Sequence, residues 1–202
     1  MDIELNVNDG DTVPANTEAA YLKGNLRSIL IGERTALNLL MHLSGIATLT
    51  KKFVDLVEDT GVKIVDTRKT TPLLRELEKK AVRDGGGFNH RFSLSDGVLI
   101  KDNHIAVAGS VSEAIRLAKR NAHHLLKIEV EVQKLHQIEE AIVAGADVIM
   151  LDNMEEEDIR RGIEIVGNRV PVEVSGGVNL ENIRKIAAYK PDFISIGRIT
   201  HS

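Results

Sequence analysis

The chain has 202 residues, 43% of them hydrophobic and 28% charged, with a formal net charge of −4, which suits one soluble globular domain with a small appendage. Aromatic residues make up 3% and there is no Trp, which argues against nucleic-acid binding by stacked bases, and the mild acidity argues against broad phosphate-backbone binding. Without cysteine there is no disulfide and no thiol catalysis; no apolar run is long enough to span a bilayer and Met1-Asp2-Ile3-Glu4 opens no signal peptide, so the sequence reads as cytoplasmic.

Ile3, Leu5 and Val7 alternate with polar residues before the turn Asn8-Asp9-Gly10-Asp11, predicting a strand and a hairpin. Residues 1–30 are too few for a core of their own. Leu26 to Thr60 is apolar at Leu37, Leu40, Met41, Leu43, Ile46 and Leu49, the spacing of a helix, and Ser44-Gly45 predicts a break into two. From Gly61 a strand–helix alternation begins. Strands are expected at Val62–Asp66, Gly97–Lys101, Lys127–Val132, Val148–Leu151, Pro171–Val174 and Phe193–Ile196. Helices are expected at Pro72–Arg83, Val111–Asn121, Leu135–Val143, Glu155–Ile165 and Leu180–Ala188. Short apolar strands alternating with helices make a parallel α/β sheet. The division expected is a remnant N-terminal piece over 1–30, linking helices over 31–60 and a barrel over 61–202.

A doubly wound sheet would gather its chemistry at one switch point. Here nearly every strand ends in a polar residue or glycine: Asp66, Lys101, Glu131, Asp152, Ser175 and Gly197. That pattern favours an open, incomplete β/α barrel of parallel strands, whose chemistry collects on the carboxyl face. The first strand leads into a basic segment with Arg68, Lys69, Arg75, Lys79, Lys80, Arg83 and Arg91, where Thr71-Pro72 reads as a helix start. Cations beside a helix start make a place for anions.

Lys101 ends the apolar run Val98-Leu99-Ile100, and an unpaired buried ammonium is costly; Asp102 beside it could serve only to hold it. Glu129 and Glu131, two apart on a strand, point the same way, into the barrel. They read either as partners of Lys101 or Lys127, or as ligands of a divalent metal or a sugar hydroxyl. Asp152 ends the next strand, and hard oxygen ligands from adjacent strand ends suit Mg²⁺ shared with a substrate phosphate. The histidines lack zinc spacing. Ser175-Gly176-Gly177 and Gly197 close two successive strands and read as a phosphate pocket. The rim thus has a cationic side (Arg68, Lys69, His90, Arg91, Lys101), an acidic side and a phosphate side. It fits a ligand with phosphates and a metal, plus a second with carboxylates, which arginine forks bind in a bidentate way.

The segments Gly32-Glu33-Arg34-Thr35-Ala36-Leu37-Asn38, His42-Leu43-Ser44-Gly45-Ile46-Ala47-Thr48, Asp66-Thr67-Arg68-Lys69-Thr70, Gly85-Gly86-Gly87-Phe88-Asn89-His90-Arg91, Leu99-Ile100-Lys101-Asp102-Asn103-His104, Glu129-Val130-Glu131-Val132, Leu151-Asp152-Asn153 and Ser175-Gly176-Gly177 together resemble quinolinate phosphoribosyltransferase, the carboxylating nicotinate-nucleotide pyrophosphorylase. The resemblance covers essentially the whole chain in order. It implies conversion of quinolinate and phosphoribosyl pyrophosphate to nicotinate mononucleotide, pyrophosphate and CO₂ with Mg²⁺, in NAD synthesis. It also implies an open α/β barrel and a homodimer or dimer-based oligomer with shared sites.

By the same resemblance Arg34, from the partner chain, would hold the quinolinate carboxylates with Arg68, His90, Arg91 and Lys101. Lys69 and Lys101 would face the phosphoribosyl donor, and Thr67 would be among the substrate-binding residues. Glu131 and Asp152 would bind the ribose hydroxyls or the metal. Ser175, Gly176, Gly177, Ile196, Gly197, Arg198 and His201 would cradle the phosphates. Lys69, Lys101, Glu131 and Asp152 are the expected catalytic groups. The family's longer N-terminal domain would be represented here by its last part, and its closing segment would lie beyond His201-Ser202. Three competing readings are a related transferase for another aromatic acid, a Schiff-base aldolase using Lys101, and a phosphoribosyl-binding remnant without turnover.

Overall fold

In a computed structural model, residues 1–201 are described; Ser202, the last position of the expected barrel span, lies outside them. Strands β1 (Asp2–Leu5) and β2 (Ala20–Lys23) pair antiparallel in a two-stranded ribbon. Both are exposed along their length. Helix α1 runs unbroken from Leu26 to Val57, so the break expected at Ser44-Gly45 does not occur. An exposed glycine costs a helix only about 1 kcal/mol. The next turns bury Ile46, Thr50, Phe53 and Val57 against the rest of the fold, which outweighs it. Before Ile46 the helix is almost wholly exposed.

Six parallel strands follow: β3 (Lys63–Val65), β4 (Val98–Ile100), β5 (Ile128–Val132), β6 (Val148–Asp152), β7 (Val172–Ser175) and β8 (Phe193–Ser195). They pair in the order β3-β8-β7-β6-β5-β4. Strands β4 to β8 sit side by side in chain order, without the reversal of a doubly wound sheet, and the last pairs with the first. This is a barrel left open between β3 and β4. Helices α2 (Arg75–Asp84), α3 (Asp102–Ala108), α4 (Val111–Asn121), α5 (Leu135–Ala144), α6 (Glu156–Val166), α7 (Ile183–Ala187) and α8 (Arg198–His201) connect or follow the strands.

The opening is partly filled by the stretch after Gly85-Gly86-Gly87. Phe88 bonds both ways with β3, its N–H to Ile64 O at 2.8 Å and its carbonyl from Asp66 N at 3.1 Å. Gly85 and Gly87 permit that approach, because a Cβ at Gly85 would lie 2.4 Å from Ala47 O and one at Gly87 2.7 Å from Thr50 Cγ2. Along each strand alternate residues divide between two faces. Ile64, Ile128, Val130, Val132, Ile149, Leu151, Val172, Val174 and Ile194 form the apolar core under the helices. Glu129, Glu131, Glu173 and Ser195 take the opposite parity and are buried inside the barrel.

Helix α2 begins at Arg75, not at Pro72. Leu74 N bonds to Thr71 O in a turn, and Leu73 is left-handed at φ 68, a conformation no helix continues through. Helix α3 is an addition to the expected elements.

Candidate active site at the carboxyl ends of the strands

Strand β3 delivers its C-terminal end to Asp66, which is fully buried. Lys79 Nζ reaches Asp66 Oδ1 at 2.5 Å, the His90 backbone N–H donates to the same oxygen at 2.8 Å, and Asn89 Nδ2 donates to Oδ2 at 2.7 Å. Lys79 also donates to His90 O at 3.0 Å. Burial lowers the Lys79 pKa, and Asp66 works in the other direction. Arg75 braces the neighbouring loop with bonds to Thr70 Oγ1, Arg68 O and Phe92 O at 3.0 to 3.1 Å. Two members of the basic segment, Lys79 and Arg75, are therefore structural.

Arg68 and Arg91 are the candidates for ligand cations. The Arg68 Nε is inaccessible and has no hydrogen-bond partner. Arg91 NH1 donates to Gly97 O at 2.8 Å. Its pKa is lowered, first by burial and then by the Arg68 charge, with Glu129 and Glu131 opposing. Two guanidiniums close enough to disfavour each other form a seat for an anion with two charges. His90 lies beneath them with both ring nitrogens engaged. Arg91 N donates to Nδ1 at 2.8 Å, and Nε2 faces Glu129 Oε2 at 3.1 Å.

Lys101 Nζ pairs with Glu131 Oε1 at 2.6 Å, one of the two partnerships left open by the sequence. Asp102 does not hold it: Asp102 opens α3 and accepts its own neighbour's Asn103 N–H. Asp152 ends β6 beside Ser175 of β7 and accepts from Asn153 Nδ2 at 2.8 Å. Gly176 stands at φ +89, where a Cβ would lie 2.2 Å from Asn153 Oδ1, so only glycine fits the turn between these two strand ends. Gly177, at φ +64, meets nothing within 4 Å and faces open space. Across the β7–β8–β3 arc, Gly197 lies against His201 and Lys69, and Thr200 Oγ1 donates to Lys69 O at 2.7 Å. Lys69 thus joins the phosphate side, and Thr67 Oγ1 accepts the Lys69 N–H at 3.1 Å. Ile196 is buried at that end of β8 and Arg198 is exposed at the start of α8.

Of the expected residues, Arg34 alone stands away from this rim. It is exposed on the free half of α1, twelve residues before Ile46 and so roughly 18 Å of helix from the first core contact. A hollow of about 680 Å³ among Asn25, Leu26, Arg27, Leu30 and Ile31 also lies on that free half, remote from the strand ends. Sequence reasoning missed Glu173 and Ser195. Their signal was parity, because both alternate with core residues within strands that were already identified.

The family model described as quinolinate phosphoribosyl transferase, C-terminal domain, matches residues 46–202, and its N-terminal counterpart matches residues 1–44. A probable nicotinate-nucleotide pyrophosphorylase (carboxylating) of Bacillus subtilis is 48% identical over 198 residues, covering 98% of this chain and 68% of that protein. A protein of the same description from Methanocaldococcus jannaschii is 50% identical over 204 residues, 96% of this chain and 71% of that one. The solved nicotinate-nucleotide pyrophosphorylase from Francisella tularensis superposes with a TM-score of 0.95 at 46% identity, over 100% of this chain and 71% of that one. The chain belongs to the quinolinate phosphoribosyl transferase family.

Proposed function

We infer that the protein transfers the phosphoribosyl group of phosphoribosyl pyrophosphate to quinolinate and releases pyrophosphate and CO₂, giving nicotinate mononucleotide for NAD synthesis. The observation that carries this reading is the Arg68–Arg91 pair. One guanidinium has an unpartnered buried Nε, and burial, then its neighbour's charge, lowers the pKa of the other; a dicarboxylate would satisfy both. Lys101 stands between this seat and the sugar side, tethered to Glu131. Lys69, the Gly176-Gly177 turn, Gly197 and His201 take the phosphates.

Glu131 and Asp152 suit Mg²⁺ held jointly with substrate phosphates. They stand on adjacent strands, Glu131 opposite Met150 and Asp152 beside the glycine turn, and no third acid or histidine groups with them among the described residues. When bound, the metal offsets the charge of the departing pyrophosphate. Lys69 and the turn amides stabilise the same negative charge, and the carboxylates of Glu131 and Asp152 stabilise the positive charge on the ribose. The quinolinate nitrogen attacks the sugar carbon as the bond to pyrophosphate breaks; the adjacent carboxylate then leaves as CO₂, the pyridinium nitrogen stabilises the electron pair left on the ring carbon, and that carbon takes up a proton from water. Fixed charges do this work, and no proton-transfer dyad is required.

A second copy supplies Arg34. The free half of α1 exposes Leu30, Ile31, Leu40 and Met41 beside it, an apolar face suited to a dimer. No helix among the described residues is long and apolar enough to cross a membrane, and we assign the reaction to the cytoplasm. The aldolase alternative is disfavoured because Lys101 is ion-paired and about 45% exposed, unlike the desolvated amine that a Schiff base needs.

The test is quinolinate-dependent release of pyrophosphate and CO₂, with and without Mg²⁺. Arg91→Ala should remain folded and lose quinolinate affinity. An unaltered Michaelis constant in that variant would remove Arg91 from the carboxylate seat.

A further inference from the structure

Inside the barrel, below the proposed quinolinate seat, His90 Nε2 lies 3.1 Å from Glu129 Oε2 and 3.8 Å from Glu173 Oε2. The three groups offer ligand atoms that all lie within 4.8 Å of one another. Glu173 and Ser195 are each 4% exposed. Glu129 Oε1, Glu173 Oε1 and Ser195 Oγ are buried without a partner.

Three such atoms have the spacing of a metal site, but the second nitrogen of the ring decides against one. A ligating imidazole presents a lone pair at one nitrogen and a proton at the other. Here Nδ1 accepts the Arg91 N–H at 2.8 Å, so the proton is on Nε2, pointing at the acids. Burial opposes a charged ring, and the hydrogen bond to Glu129 leads the opposing effects that raise the His90 pKa. The Arg91 amide is nevertheless a fixed donor, and it sets the tautomer. The cluster is therefore built on the hydrogen bond from His90 to Glu129, with Glu173 packed beside both. Burial, with Glu129 beside it, pushes Glu173 up to about 8, so it has a proton to share with Glu129.

We propose that Glu173 is a positioning residue for the aromatic diacid: acting through Glu129, it fixes the His90 ring, and the ring fixes the Arg91 backbone that sets one guanidinium beside Arg68. Asp66 and Lys79 pin the His90 backbone from the β3 side. The ring is the other anchor, and it bonds to Arg91 directly. The phosphate side has its own supports in Lys69, Gly197 and Gly176. The proposal rests on the quinolinate reading and predicts an effect confined to that substrate.

The test compares Glu173→Met, Glu173→Asp and Glu173→Gln in the full chain. Met matches the volume without a polar group, and Asp withdraws the acid by one methylene. Both should raise the KM for quinolinate by about ten-fold, the size of a lost buried hydrogen bond, with the KM for phosphoribosyl pyrophosphate unchanged. Gln keeps a donor and an acceptor at full length and should recover the affinity that Met loses. Unchanged quinolinate KM in Met and Asp would overturn the proposal. So would an equal rise for both substrates, Gln as damaging as Met, or a transition metal that co-purifies with the native protein and is lost from Glu173→Met. Failure of the native protein to bind quinolinate would instead overturn the functional reading beneath it.

Discussion

The backbone N–H of His90 donates to Asp66 Oδ1 at 2.8 Å, and that bond ties the end of β3 to the stretch lying in the barrel's opening. One buried carboxylate thereby sets the distance between Arg68-Lys69, which follow it in sequence, and His90-Arg91, which follow the three glycines. A closed β/α barrel pairs each strand with the next and the last with the first. Here two successive strands, β3 and β4, do not pair, and side chains span the gap: Arg91 to Gly97 O and His90 to Glu129.

The Asp66–Lys79 pair is fully enclosed, with side chains 0% and 4% exposed. Removing one partner leaves the other charge buried without compensation, at a cost of about 3–5 kcal/mol. Asp66→Asn and Lys79→Met should each lower the unfolding free energy by that amount, read as a lower urea midpoint with the denaturant slope unchanged. The double variant should lose much less than the sum, since neither charge remains. Additive losses would show that the two residues act separately.

Arg68→Lys keeps the charge and loses the fork. An ammonium cannot supply the paired N–H groups that a carboxylate accepts, and bonds to charged groups are worth about 1.5–3 kcal/mol each. The KM for quinolinate should rise by about ten-fold or more, with the melting temperature unchanged. A variant with native quinolinate affinity would place the diacid elsewhere.

The strand–helix alternation was legible because each strand is an apolar run ending in a polar residue, and Val111–Asn121 is found at the expected bounds. The barrel rather than a doubly wound sheet was legible from the same strand ends. The continuity of α1 was not. Glycine lowers helix propensity locally, while the burial of Phe53 and Val57 that holds the helix is a tertiary fact. The start of α2 was misplaced for a related reason: Thr71-Pro72 is a sound start signal, but Leu73 adopts a left-handed conformation that no propensity anticipates. At the site, residue types announced the charges without announcing their partners. Lys79 and Arg68 look alike in sequence, yet one is spent on Asp66 and the other keeps a free Nε.

Gly176 and Gly177 separate two kinds of glycine requirement. A methyl at Gly176 would collide with Asn153, whose side chain donates to Asp152. Gly176→Ala should therefore disturb the turn and the acidic side together, raising both the KM for phosphoribosyl pyrophosphate and the Mg²⁺ concentration needed for half-maximal rate. Gly177→Ala meets open space and carries only the left-handed backbone cost of about 1–2 kcal/mol. Steady-state kinetics on the two variants should show the larger defect in Gly176→Ala. The reverse order would mean that the ligand itself fills the space at Gly177.

Glu173 also governs how stability changes with pH. Its pKa is raised from 4.5 to about 8, first by burial and then by the Glu129 charge, with His90 and Ser195 pulling it down. Between those two values the folded protein holds a proton that the unfolded chain has released, so raising the pH favours unfolding. The stabilisation from the protonated acid is complete below about 4.5 and is lost as the pH passes about 8. Glutamine cannot ionise, and His90 keeps its nearer partner Glu129 in either protein. The melting temperature of Glu173→Gln, measured by calorimetry across that window, should gain on the native protein as the pH rises, by about 2–4 °C for each kcal/mol of ionisation cost avoided. Parallel curves would show that Glu173 is ionised in the folded protein throughout, with a cation as yet unidentified beside it.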